Sequence, residues 1–449
     1  MCSTCFNKGD LVARFNKFRE AEYKCGTCES NSTHCLPQAI VHGQKPPRVF
    51  FGPRFEGIGT FPVFGVHPTE AFSAARVDGL MGACDSFLAR HTWMPELATA
   101  MSTGSIKEVV YLGQTGTPSV RHLAEPSTSD HLIMDDWHRE HQPVVDLATE
   151  LFGPSDTKKE LHDKIERAVP VFAQREIQTF VDTYFPEAGI TVHAGLYDTQ
   201  RDFLCWVRDP QTGSFTKDGN TDLHARYEKR RHLLNPEPED RHDVHRFFGG
   251  CMDSRAIPTH VFGLTSTENA SDAFVSTSMG GLWAEYGTPL ARLTWMPELA
   301  MAMEHQPDLN EYVFLGHTGC AGAKLLASEP VNDPLRLGWQ KLFQKALLPL
   351  ANKMFKDDMI AGDVQAAIEK AIPVFMERNV RRFLDDWFPQ TDISVNAYLY
   401  KMHEGNLMHL SNNRAGKYTA LTHHEPLDYD MHMEACPRIA SALQKLMIS

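Results

Sequence analysis

The sequence has no run of about eighteen apolar residues, so no segment is expected to span a bilayer as a helix. It has no excess of positive charge. Its 44 Lys and Arg stand against 57 Asp and Glu, a formal net charge of −13, which speaks against a nucleic-acid or anionic-membrane surface. A dense disulfide framework is also missing: there are 10 cysteines in 449 residues. Several of them sit at metal-type spacings, and a reducing, cytoplasmic setting is expected. The opening residues, Met1 to Asp10, carry no hydrophobic segment and do not read as a secretory signal. What is present is a globular composition, 42% hydrophobic and 22% charged. A chain of this length is too long for one ordinary core, which predicts two or more domains.

The chain matches itself. Thr92-Trp93-Met94-Pro95-Glu96-Leu97-Ala98 recurs unchanged at Thr294 to Ala300, and Val109 to Gly116 pairs with Tyr312 to Gly319. Ile165 to Phe172 pairs with Ile368 to Phe375, and Ile190 to Tyr197 with Ile393 to Tyr400, always in the same order. A duplicated α/β domain follows, each copy alternating strands with helices around mostly parallel pairing and closing on an antiparallel hairpin. Second strands are expected at Val63 to Val66 and Val261 to Leu264. The boundaries read as a cysteine-rich start at 1–45, a first copy at 46–208 and a charged linker at 209–243. A second copy at 244–410 and a tail at 411–449 complete the chain. One helix is expected within the linker, at Asp222 to Leu233.

Two stretches of the second copy carry chemistry. Phe248-Gly249-Gly250-Cys251-Met252-Asp253-Ser254-Arg255 and Gly316-His317-Thr318-Gly319-Cys320 together offer two thiols, an imidazole, a carboxylate and a guanidinium. Sulfur with imidazole is a donor set that suits zinc. Each stretch follows an apolar run that reads as a buried strand, and ligands in open α/β sheets gather past the carboxyl ends of strands. A separate pair of Cys-x-x-Cys motifs, Cys2/Cys5 and Cys25/Cys28, has the spacing of a structural zinc site, with His34 and Cys35 as substitutes. Reduced surface thiols are the alternative there. In the tail, His423, His424, His432 and Cys436 are scattered rather than tightly spaced.

The Cys251-x-Asp253-Ser254-Arg255 and His317-x-x-Cys320 pair resembles the zinc site of the β-class carbonic anhydrases. Asp272 to Val275, Glu377 to Val380 and Val395 to Tyr400 resemble elements of the same family. The resemblance implies a catalytic zinc on Cys251, His317 and Cys320. It makes Asp253 either a fourth ligand or the partner of Arg255, and both Asp253 and Arg255 catalytic residues. The implied activity is reversible hydration of carbon dioxide to bicarbonate, with His260 and His305 as candidate proton relays. The sequence departs from the family at Gly319-Cys320-Ala321 and at Ser276 to Gly281, where the site mouth is normally shaped. Hydrolysis of carbonyl sulfide or carbon disulfide at the same site is therefore a second reading, and a non-catalytic zinc-stabilised scaffold a third. A closed structural zinc site with Asp253 permanently coordinated is also open.

Aligning Phe50 to Glu56 on Phe247 to Asp253 puts Arg54 at the place of Cys251, Glu56 at Asp253 and Ile58 at Arg255. Gln114 then falls at His317 and Thr117 at Cys320. The first copy is expected to bind no metal and to wall the active site of the second. The resulting expectation is an intramolecular pseudo-dimer of carbonic-anhydrase-like domains with one live site, able to assemble further as a homo-oligomer. Its partner is a small-molecule substrate, with no nucleic acid and no membrane.

Overall fold

The computed structural model describes residues 47–53, 63–64, 66, 70–76, 79–125, 132–199, 201–234, 245–262, 273–402, 404, 406–410 and 419–420. Cys2, Cys5, Cys25, Cys28, His34 and Cys35 lie outside the described residues, as do Arg54, Glu56, Ile58 and the tail histidines with Cys436.

The fold is α/β, built on one large, mostly parallel sheet flanked by helices. In chain order the described strands are β1 (Arg48–Pro53), β2 (Ala71–Arg76), β3 (Glu108–Gln114), β4 (Thr191–Asp198), β5 (Phe203–Asp209) and β6 (Ser214–Thr216). They continue as β7 (Arg246–Cys251), β8 (Ala273–Ser278), β9 (Glu311–His317), β10 (Ser394–Lys401), β11 (Asn406–His409) and β12 (Thr419–Ala420). Across the sheet they run β12-β11-β10-β9-β7-β8-β2-β1-β3-β4-β5-β6. The quartets β2-β1-β3-β4 and β8-β7-β9-β10 are parallel throughout, and antiparallel hairpins close both outer ends. Where the quartets meet, β2 and β8 pair antiparallel through Ala75 and Thr277, each the fifth residue of its strand. The sheet therefore reads the same outward from this junction in both directions.

Alternation along each strand sends side chains to opposite faces. Val49, Phe51, Val109, Tyr111, Phe247, Phe274, Tyr312 and Phe314 join one core that runs continuously under both quartets. Phe50, Val110, Leu112, Tyr197 and Trp206 form a second core on the other face. Phe248, Val275, Val313, Leu315 and Tyr398 form a third. Parallel strands need both faces covered. Helices Leu132–Phe152 and Lys158–Tyr184, and their counterparts Pro334–Met354 and Val364–Trp387, supply apolar faces to the continuous core. Thr157, Asp333 and Asp363 cap three of these helices by accepting first-turn amides. Pro373 sits inside the last helix, against β9: a Cβ at Gly316 would lie 2.9 Å from its ring. The strand must be glycine there for the helix to approach.

The expected second strands are corrected. Val63 and Phe64 are helical, and Val261 ends a short helix, Pro258–Val261. The second strands are instead β2 and β8. A four-residue apolar run does not distinguish strand from helix, and Pro258 at the first helical position favours the helix. The helix expected within 209–243 is present as Thr221–Leu234, and its Leu223 and Tyr227 enter the core of the first quartet; β6 lies in the same segment. The Tyr227 hydroxyl donates to the Asp202 carbonyl at 2.7 Å. No helix of the described residues is long and apolar enough to cross a membrane.

Candidate metal centre

Strand β7 ends at Cys251, and its neighbour β9 ends at His317. The two are paired in parallel, Gly250 opposite Leu315, so their carboxyl ends point the same way. The close packing behind them requires glycine: a Cβ at Gly249 would stand 2.6 Å from the Phe314 ring, and one at Gly250 2.7 Å from Pro258. After His317 the chain turns at Gly319, whose φ is +70°. It then enters helix Ala321–Ala327 with Cys320 as its N-cap. That turn folds Cys320 back toward Cys251.

The donor atoms of Cys251, His317 and Cys320 all lie within 4.8 Å of one another, and the three residues are buried. The two sulfurs are 4.0 Å apart, far beyond a disulfide bond of about 2.05 Å. Two thiolates on one tetrahedral zinc, each about 2.3 Å from it, stand about 3.8 Å apart. The His317 Nδ1 faces its neighbour's carbonyl, Thr318 O, at 3.0 Å. With that bond Nδ1 donates to the carbonyl, which leaves the buried Nε2 facing the two thiols. A buried imidazole nitrogen beside two sulfurs fits a soft dication, which would take the place of the Nε2 proton. The hydrogen bond between the sulfurs raises the Cys251 thiol well above the usual range and lowers Cys320 well below it. Burial would lower His317, but the charge of Cys320 outweighs it and the imidazole is raised to about 9. A dication would displace these shared protons.

Asp253 points elsewhere. It pairs with Arg255 in a two-pronged contact, Nε to Oδ1 at 2.9 Å and Nη2 to Oδ2 at 2.6 Å, and also accepts the Arg255 amide at 3.1 Å. Burial alone would raise this carboxyl. The guanidinium beside it overrides burial and holds it down to about 2. Asp253 is thus an ionised acceptor that the two-pronged pairing keeps oriented. The Asp253 amide in turn donates to Cys251 Sγ at 3.4 Å.

Contacts that the sequence did not reveal secure the ligand loops. Glu369 Oε1 accepts the Cys320 amide at 3.1 Å and is itself held by Gln365 at 2.8 Å. The Met252 carbonyl, between Cys251 and Asp253, accepts from the Ser73 amide of β2 at 3.1 Å. The signal for Glu369 was a charged residue repeated inside an apolar block, Glu166 in one copy and Glu369 in the other. His305 ends helix Trp295–His305, partly buried, and the His260 side chain lies outside the described residues.

Among the described residues, the matching place in the first quartet has no counterpart of these three donors. Gln114 ends β3 and Thr117 follows it, both buried. The alignment of Arg54 on Cys251 is corrected by one residue. Arg48 pairs with Glu108 and Arg246 with Glu311 in matching registers, so Pro53 is the counterpart of Cys251. Neither a proline nor an arginine supplies a metal donor.

No family model and no curated protein matches the chain. Among solved structures it is similar to the β-carbonic anhydrase CafA of Aspergillus fumigatus, with 18% identity over 49% of this chain and 97% of that one, at a TM-score of 0.36. It is also similar to a tetrameric β-carbonic anhydrase of Sordaria macrospora, with 15% identity over 47% of this chain and 100% of that one, TM-score 0.34. A Coccomyxa β-carbonic anhydrase in complex with acetazolamide gives 16% identity over 47% of this chain and 86% of that one, TM-score 0.32.

Proposed function

We propose that the chain is a zinc-dependent carbonic anhydrase, hydrating carbon dioxide to bicarbonate and a proton at Cys251, His317 and Cys320. The observation that carries this reading is the buried convergence of these three donors within 4.8 Å of one another, while Asp253 is turned onto Arg255. Three protein ligands with the aspartate turned aside suit a catalytic site rather than a closed structural one.

When bound, zinc supplies Lewis acidity that brings the pKa of a water towards about 7. Cys251, His317 and Cys320 would hold it, and the two thiolates would offset its charge. Orientation is then the protein's main contribution. Asp253, kept ionised by Arg255, can only accept a hydrogen bond. It would accept a hydrogen bond from the O–H of the attacking water and so leave a lone pair of that oxygen facing the substrate carbon. Arg255 keeps the carboxylate from turning.

We further read residues 46–208 and 244–410 as a tandem duplication that forms an intramolecular pseudo-dimer with one live site. The repeated segments and a sheet order that reads alike on both sides of Ala75 and Thr277 support this. The test is metal analysis of wild type and Cys251→Ser together with a carbon dioxide hydration assay. Loss of about one zinc with all activity supports catalysis here. Loss of zinc from a protein with no activity to lose supports a scaffold. A second zinc surviving in the variant points to Cys2, Cys5, Cys25 and Cys28.

A further inference from the structure

The turn Met279–Gly281 is wedged between the two ligand-bearing segments. Gly280 and Gly281 both have φ of +70°. A Cβ at Gly281 would stand 3.1 Å from Gly250 C and 3.2 Å from Cys251 N, and one at Gly322 would stand 2.8 Å from Gly280 Cα. On one side the turn touches the end of β7, where the Met252 amide also donates to Ser278 O at 2.8 Å. On the other it touches the chain two residues past Cys320. The turn therefore packs between the two backbone segments that carry Cys251 and Cys320.

Within its own half the turn is held by Ser278 Oγ, which donates to Leu282 O at 2.9 Å; a further hold comes from the other half of the molecule. The Met279 amide donates to Glu96 Oε1 at 3.2 Å. Glu96 lies on helix Trp93–Met101 and is 2% exposed, and its Oε2 has no hydrogen-bond partner. Arg76 stands 4.0 Å from both Glu96 and Glu298, so one guanidinium serves two buried carboxylates. The counterpart of Arg76 at the end of β8 is Ser278, which brings no second cation. Burying a carboxylate with one oxygen unpaired destabilises a fold, and an apolar side chain would pack there at lower cost. Packing therefore does not explain this residue. Resting on the zinc reading above, we propose that Glu96, supplied by the half without metal ligands, is a positioning residue for the metal centre, holding the Met279–Gly281 turn between Cys251 and Cys320. The first half is then part of the site's construction as well as its wall.

The test uses the full-length chain and two readouts: zinc affinity by chelator competition, and the absorption bands of the cobalt(II)-substituted protein, which report the sulfur geometry directly. Glu96→Ala is expected to weaken zinc binding about tenfold to a hundredfold, the usual effect of losing an outer-sphere support, and to shift the cobalt bands. Glu96→Gln keeps an acceptor at the same place and is expected to restore both. Should Glu96→Ala fail to fold, Glu96→Leu fills the buried space and takes its place. As a control, Tyr111→Phe removes a buried hydrogen bond to Gly79 O in the same half and is expected to lower stability without moving the cobalt bands. Unchanged affinity and spectrum in Glu96→Ala overturn the proposal, as does Glu96→Gln behaving like Glu96→Ala. So does an equal spectral shift in Tyr111→Phe. If wild-type spectra do not change on Cys251→Ser, it is the zinc reading itself that fails.

Discussion

Replacing Gly322 by alanine tests, with a single methyl group, whether the Met279–Gly281 turn governs the site. The new Cβ would stand 2.8 Å from Gly280 Cα and 2.9 Å from Gly280 N. Both contacts are to backbone, so no side chain can rotate away. Carbon atoms prefer about 3.5–4.0 Å, and the turn or helix Ala321–Ala327 must retreat by roughly 0.7 Å or more. Overpacking of this kind costs about 1–3 kcal/mol. The retreat would alter the gap between Cys251 and Cys320, two residues from the substitution, and misplacement of about 1 Å can lower a rate by about 10²-fold. Denaturant unfolding measures the first effect; zinc affinity and turnover measure the second. Gly338→Ala serves as the control. It lies in helix Pro334–Met354 with nothing within 4 Å of the added Cβ, and is expected to stabilise by about 0.5–1 kcal/mol. Wild-type stability and zinc affinity in Gly322→Ala would refute the reasoning.

Three further predictions follow from separate features. Arg255→Gln removes the two-pronged hold on Asp253, and is expected to lower turnover about ten- to a hundredfold while metal analysis still finds zinc; equal turnover would show that Asp253 needs no holding. Burial raises the Glu96 carboxyl to about 7 from 4.5, against the pull of Arg76 and the Met279 amide. Between those values the native chain binds the proton more tightly than the unfolded one, so this contribution is full below pH 4.5 and lost as pH rises through 7. The difference in unfolding free energy between Glu96→Gln and wild type should thus move in favour of the variant by up to ~3 kcal/mol from pH 5 to pH 8; a pH-independent difference contradicts it. Arg76, Glu298 and His91 line the same cavity and are left unchanged in that comparison. Finally, Gln114→His with Thr117→Cys should create no second metal site by metal analysis, because Pro53 occupies the place of Cys251. Additional zinc in the double variant would show that another side chain of the first half can supply the missing donor.

Much of the site was legible because its chemistry is local in sequence. Cys251, Asp253 and Arg255 fall within five residues, His317 and Cys320 within four, and each group follows an apolar strand. The repeats made the layout of both quartets legible too, including the closing hairpin at β10 and β11. Register was not. Phe50-Phe51 was matched to Phe247-Phe248 by aromatic likeness, yet the sheet is set by ion pairs at the strand starts. Arg48 Nε meets Glu108 at 2.7 Å and Arg246 Nε meets Glu311 at 3.0 Å. Matching those arginines would have placed Pro53 correctly. The short apolar runs around Val63 and Val261 were too brief to carry a period. The long-range supports, Ser73 to Met252 and Glu96 to Met279, depend on the antiparallel junction of β2 and β8, which no local pattern encodes. The repeated glutamate in the Thr-Trp-Met-Pro-Glu-Leu-Ala block was the one hint, a charge kept twice among buried neighbours.

The most direct test of the central claim is stopped-flow turnover by the zinc-loaded full-length chain, with carbon dioxide, carbonyl sulfide and carbon disulfide compared side by side. Carbon dioxide hydration is expected to dominate and to disappear in Cys320→Ser. Zinc held at Cys251, His317 and Cys320 with negligible carbon dioxide hydration would contradict it.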